Sequence, residues 1–165
     1  MDSPFPWVID AGILFDVSHG GIVHEVFHLP IIFVTSDLIA DRELTNPPFS
    51  LFEEAGLEKK DLSGPQTEAL LRLRHDHKNL SIYDISAFLL ARDLETILLT
   101  GDDALRTFAL SSGVEVHGIL WILDNLIHDD IVTKLEAAVA LEQIIAHNSY
   151  LPKKECRERI SHWRE

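Results

Sequence analysis

Two short apolar runs in this chain of 165 residues each lead into a carboxylate. Trp7-Val8-Ile9 runs straight into Asp10, and Ile97-Leu98-Leu99 runs into Thr100-Gly101-Asp102-Asp103. An apolar, partly β-branched run, then an acid, then an amphipathic stretch reads as strand, turn and helix. That order puts Asp10 and Asp102 at the carboxyl edge of a buried sheet, where open α/β folds place their ligands. Two acids at matching strand ends can share one metal ion. Ser81-Ile82-Tyr83-Asp84 adds a third acid at a helix start, and Asp41-Arg42-Glu43 a fourth on a polar helix face. Oxygen ligands of this kind suit Mg²⁺ or Mn²⁺, which take few protein ligands and fill their remaining positions with water.

Each of these acids also has a plain structural role. Ser81 and Asp84 fit a capping box. Asp102 or Asp103 can cap the helix that holds Leu105 and Phe108, and Asp10 can cap the first helix. Glu43, beside Asp41 and Arg42, reads as solvated. Caps alone do not require carboxylates at three strand-to-helix junctions, because Ser, Thr and Asn serve nearly as well. A divalent oxygen-ligand site does require them.

The elements that must position these acids alternate. After the first strand, Ile13-Leu14-Phe15 and Val17 continue as a helix that stops near Gly20-Gly21. A short helix over 22–28 ends before Pro30, and 31–35 is a second strand. Ser36-Asp37 caps a helix through Leu44, which Asn46-Pro47-Pro48 breaks. Residues 51–77 read as helical, with Gly64-Pro65 opening an amphipathic stretch. A helix from Ser81, a strand over 96–99, a helix to Ser111, a strand over 114–116 and a helix over 119–127 follow. Ile131, Leu135, Ala138, Leu141 and Ile145 recur at helix spacing, and Leu151-Pro152 starts a last helix. The alternation predicts a three-layer α/β/α fold with a mostly parallel sheet. The expected organisation is an α/β domain over 1–128 with a helical extension over 129–165 packed on it.

Composition sets the remaining bounds. With 46% apolar residues the chain has the make-up of a globular protein. Residues 1–4 lack the basic and apolar regions of a secretory leader. The single Cys156 has no internal partner, so a reducing cytoplasm is the expected location. No apolar run approaches a membrane span. Fourteen basic against 27 acidic residues give a formal charge of −13, which opposes phosphate chains and suits a basic protein partner. Lys153, Lys154, Arg157, Arg159 and Arg164 concentrate positive charge at the C-terminal end. His75-Asp76-His77 reads as a helix end whose basic neighbours complement the dipole. Neither an H-E-x-x-H spacing nor a phosphate loop occurs.

Taken together, Val8-Ile9-Asp10, Asp41-Arg42-Glu43-Leu44, Ser81-Ile82-Tyr83-Asp84, Leu98-Leu99-Thr100-Gly101-Asp102, Leu105-Arg106, Gly113-Val114-Glu115-Val116 and Gly118-Ile119-Leu120 resemble the PIN-domain proteins. These are metal-dependent ribonucleases that include toxins of prokaryotic toxin–antitoxin modules. The resemblance covers most of the chain and implies that Asp10, Glu43, Asp84 and Asp102 form an acidic quartet around Mg²⁺ or Mn²⁺. Asp10, Asp84 and Asp102 would bind the ion, with Thr100 beside it and Asp103 in support. The chain departs from the family pattern at Gly12, where members usually carry a hydroxyl or amide, and at Ala104, where some carry a further acid.

The implied activity is cleavage of single-stranded RNA by metal-activated water, and the implied partners are RNA and an antitoxin protein. A catalytically weak PIN scaffold that binds RNA or protein is the alternative. A receiver-like phosphoacceptor domain also clusters acids, but it needs a lysine at a late strand end, and Val114-Glu115-Val116-His117 offers none. Because Ile119-Leu120-Trp121-Ile122-Leu123 and the C-terminal helices offer more apolar surface than a small sheet covers, a symmetric homodimer is expected.

Overall fold

The computed structural model describes residues 5–165, so residues 1–4, read above for the lack of a leader, lie outside the described residues. A five-stranded sheet of order β3-β2-β1-β4-β5, parallel throughout, forms the middle layer. Its strands are β1 (Pro6–Ile9), β2 (Ile32–Ser36), β3 (Glu58–Lys60), β4 (Leu98–Leu99) and β5 (Val116–His117). β1 is central: Val8 pairs with Val34 on one side and with Leu98 on the other. Val8, Ile9, Val34, Leu98 and Leu99 are fully buried, as expected for strands covered on both faces.

The helices are α1 (Ala11–His19), α2 (Val23–Val26), α3 (Phe49–Ala55), α4 (Gly64–Asp76), α5 (Ile82–Asp93), α6 (Asp103–Ser111), α7 (Ile119–His128), α8 (Lys134–His147) and α9 (Lys153–Trp163). α5 crosses β1, β2 and β4 and is in turn flanked by α4 and α6, which is why every residue from Ile85 to Ala91 is buried. α1 packs against α7 and α8, and α9 packs against α8. Arg159 of α9 grips Asp124 of α7 through two hydrogen bonds of 3.2 and 2.6 Å. Among the described residues no helix is long and apolar enough to cross a membrane.

The structure corrects four local expectations. The stretch over 51–77 is not continuously helical, because Glu58, Lys59 and Lys60 form an edge strand beside Val34, Thr35 and Ser36. Three exposed charged residues carry no strand periodicity; the unpaired edge of β2 recruits them, and their charges in turn guard the new edge. The segment led by Ser36 forms a π-helical turn, Ile39–Glu43, in place of an α-helix through Leu44. Ser36 Oγ still accepts from Ile39 N at 3.1 Å, and it also meets Ser86 Oγ at 2.7 Å. The last strand pairs at Val116–His117 and not over 114–116, set by Leu98↔Val116 and Leu99↔His117. Finally, Ile119, Ile122 and Leu123 are buried in the core while Leu120 and Trp121 are half-buried, so most of the apolar surface expected there is covered.

Candidate active site

β1 delivers Asp10 to the carboxyl edge of the sheet, where it is 7% exposed. Its backbone is extended, its N–H donates to Leu99 O of β4 at 2.9 Å, and its side chain makes no capping bond to α1. The expected cap is therefore absent. Asp10 Oδ2 instead accepts from Thr100 Oγ1 at 2.8 Å. Thr100, fully buried at the end of β4, also accepts from Asp102 N at 3.2 Å. One hydroxyl thus ties together the turns that carry the two strand-end acids.

Asp84 and Asp102 both cap their helices. Asp84 Oδ2 accepts from Ser81 N at 2.9 Å while Ser81 Oγ accepts from Asp84 N at 3.0 Å, the reciprocal pattern the sequence predicts. Asp102 Oδ1 accepts from Leu105 N at 2.8 Å. Each cap uses one carboxylate oxygen, so capping and ion binding do not compete for the same atom.

Glu43 ends the π-helical turn, and its Oε2 is buried without a hydrogen-bond partner. The expectation that it is solvated fails. The turn rotates Glu43 inward while Asp41 and Arg42 stay exposed. Asp103, the first residue of α6, is exposed at the cleft.

All four members of the quartet line one cleft of about 470 Å³, together with Asp103 and, from α1, Asp16. Six carboxylates line it, and among its lining residues there is no lysine, arginine or histidine. The charge is accordingly uncompensated. Burial, and then the charges of Asp84 and Asp102, push Asp10 up to about 6 against the hydrogen bond from Thr100. Burial, then Asp10 and Asp84, push Glu43 up to about 7. Asp84 is also raised, chiefly by burial, against its hydrogen bonds to Ser81.

Sequence reasoning missed three residues of this cleft. Asp16 is buried, and Asn148 Nδ2 reaches its two oxygens at 3.0 and 3.3 Å. Asn148 Oδ1 in turn accepts from Tyr150 N at 3.0 Å, which fixes the turn between α8 and α9 beside the acids. Asp16 had a signal, since it lies three residues after Ile13 on the apolar face of α1. Asn148 and Tyr150, more than 130 residues from the first strand, had none.

The donor chemistry fits a divalent cation: hard oxygens, uncompensated negative charge and an orphaned buried oxygen on Glu43. Among the described residues no three His, Cys, Asp or Glu side chains stand close enough to hold one ion directly. The arrangement therefore suits an ion that keeps much of its water, as Mg²⁺ does.

Fold and cleft together define a three-layer, wholly parallel α/β protein with an acid-lined pocket at the carboxyl edge of its central strands. A family model described as a PIN domain (DUF3368) matches residues 6–165, and the chain belongs to that family. The PIN domain is a nuclease-type fold. Among solved structures the chain is similar to a PilT N-terminus domain protein from the hyperthermophilic archaeon Sulfolobus solfataricus P2. The TM-score is 0.54 and the identity 19%, over 74% of this chain and 93% of that one. At that identity the likeness is one of fold. No curated protein matches the chain.

Proposed function

We propose that this protein is a Mg²⁺- or Mn²⁺-dependent endoribonuclease that hydrolyses single-stranded RNA. The observation that carries the reading is the cleft itself, with six carboxylates, no basic side chain and an unpartnered Glu43 Oε2. Asp10, Asp84 and Asp102 would hold the ion largely through its shell of water, the last two offering the oxygen that capping leaves free. When bound, the ion supplies Lewis acidity, acidifying water and offsetting charge on the phosphodiester. The hydrogen bond from Thr100 favours the ionised form of Asp10 against its burial and orients the carboxylate. Glu43, whose Oε2 has no hydrogen-bond partner at the cleft, is the candidate to accept the proton of the attacking water. Asp103 supports the cleft mouth.

The reading extends to the toxin of a toxin–antitoxin pair, for which a formal charge of −13 suits a basic antitoxin. A neighbouring gene encoding a small DNA-binding protein is the check. The scaffold alternative keeps one observation in its favour, namely that among the described residues no three acids converge on a point.

Asp102→Asn separates the two. It removes charge but keeps the acceptor that caps α6. The nuclease reading expects loss of Mn²⁺-dependent RNA cleavage with the melting temperature in EDTA level or higher, and with less stabilisation by Mn²⁺. A wild-type protein that neither cleaves RNA nor gains stability from Mn²⁺ would leave the scaffold reading.

A further inference from the structure

A second cleft, of about 560 Å³, adjoins the acidic one and shares Asp16, Gly101, Asp103, Asn148 and Tyr150 with it. Its chemistry differs. Arg106 of α6 and Arg159 of α9 both line it, but Arg159 is held by Asp124 at 2.6 Å. Arg106 has no carboxylate within 4.0 Å among the described residues, and its Nε is buried without a hydrogen-bond partner. Nε itself is sealed from solvent, so an incoming anion would meet the terminal N–H groups of the guanidinium fork.

The guanidinium lies against Gly118, whose lack of a Cβ makes room for it: an added Cβ would stand 3.3 Å from Arg106 Nη2. The rings of His117 and Trp121 stack at 4.0 Å nearby, and Trp121 rests on Trp7 behind it. At the border of the two clefts stands Tyr150, 90% exposed on a turn that Asn148 ties to Asp16. A fully exposed aromatic ring on an anchored turn has no packing role.

We propose that this second cleft seats the nucleotide adjoining the cleaved bond of a single-stranded nucleic acid, with Arg106 on its phosphate and Tyr150 against its base. The inference rests on the nuclease reading and names the substrate path that reading lacks. A polyanion led into six carboxylates needs a cation next to them, and the guanidinium fork matches phosphate oxygens two at a time. Stacking accepts any base, so the site grips a single strand without reading its sequence. Asp16, Asp103 and Glu155 also line the cleft, which keeps the grip weak.

The test measures binding apart from cleavage. Anisotropy of a fluorescein-labelled single-stranded oligouridylate, with Ca²⁺ in place of Mn²⁺, is followed over a salt series for wild type, Arg106→Gln, Arg106→Lys, Tyr150→Ala and Tyr150→Phe. Arg106→Gln and Tyr150→Ala should each weaken binding about tenfold. Arg106→Gln should also lower the salt dependence by about 0.7 in log–log slope, the share of one phosphate contact. Arg106→Lys should retain the slope, and Tyr150→Phe should retain affinity. In Mn²⁺-dependent cleavage both weakened variants should raise KM more than they lower kcat. Wild-type affinity and salt slope in Arg106→Gln and Tyr150→Ala would overturn the subsite while leaving an active wild type as a nuclease. No RNA binding by the wild type would overturn the subsite, and an absence of cleavage as well would overturn the nuclease reading. Should Arg106→Gln fail to fold, Tyr150→Ala decides, because its side chain supports nothing.

Discussion

Glu43→Gln tests the electrostatics of the acidic cleft without touching its shape. In the metal-free protein, Glu43 ionises near 7 where an ordinary glutamate ionises near 4.5, because of burial first and then Asp10 and Asp84. Its folded-state value is raised, so the native protein holds a proton that the unfolded chain releases. Stability from this group is therefore fully present below about 4.5 and is lost as pH rises through about 7. At about 1.4 kcal/mol per pH decade, the rise corresponds to roughly 3 kcal/mol once the group is charged. Solvent screening of this half-buried group, together with the unpartnered polar atom that glutamine keeps, leaves about half to be recovered. The expected gain is about 1–2 kcal/mol at pH 8, or about 3–6 °C in melting temperature for a chain of this size. At pH 5 the two proteins should melt together, or the variant slightly lower. Thermal unfolding in EDTA across pH 5–8 measures this, and a parallel series with Mn²⁺ measures the counter-effect. An ion at a hundredfold its Kd adds about 2.7 kcal/mol, and that gain should shrink when Glu43 is neutral. A difference that does not change between pH 5 and pH 8, or a variant less stable at pH 8, would refute the reasoning.

Thr100→Val keeps the volume of the buried side chain but removes both the bond to Asp10 and the acceptor for Asp102 N. It should cost about 1–3 kcal/mol by chemical denaturation at neutral pH, and it should weaken Mn²⁺ binding. Gly12→Ser restores the hydroxyl that PIN proteins usually carry there, at a point where a Cβ meets nothing within 4 Å. Within α1 it should add a few tenths of a kcal/mol and tighten Mn²⁺ binding by titration. Leu135 and Val139, exposed one helical turn apart on α8, offer an apolar face for a homodimer. Light scattering at micromolar concentration should report a dimer for wild type and a monomer for Leu135→Glu/Val139→Glu, and a wild-type monomer would contradict the expectation.

Much of the architecture was legible because it rests on local chemistry. The apolar runs before Asp10 and Thr100 have to be buried strands, and Ser81-x-x-Asp84 builds its own capping box wherever a helix begins. Hence β1, β4, the α5 start and three strand- or helix-edge acids could be read in order along the chain. Tertiary structure decided matters that depend on distant partners. β3 is a strand only because the edge of β2 offers it hydrogen bonds. Glu43 faces the cleft only because its turn winds as a π-helix, which moves a residue that looks solvated into a buried, charged setting. Asp10 binds Thr100 and not its own helix, although both were available to it. Asn148 and Tyr150 reach the acids solely through the packing of α8 on α1. Sequence spacing carries periodicity and capping, which act over a few residues. Burial, charge coupling and the union of two clefts arise from groups far apart in the chain, and they come into being only when the chain closes on itself.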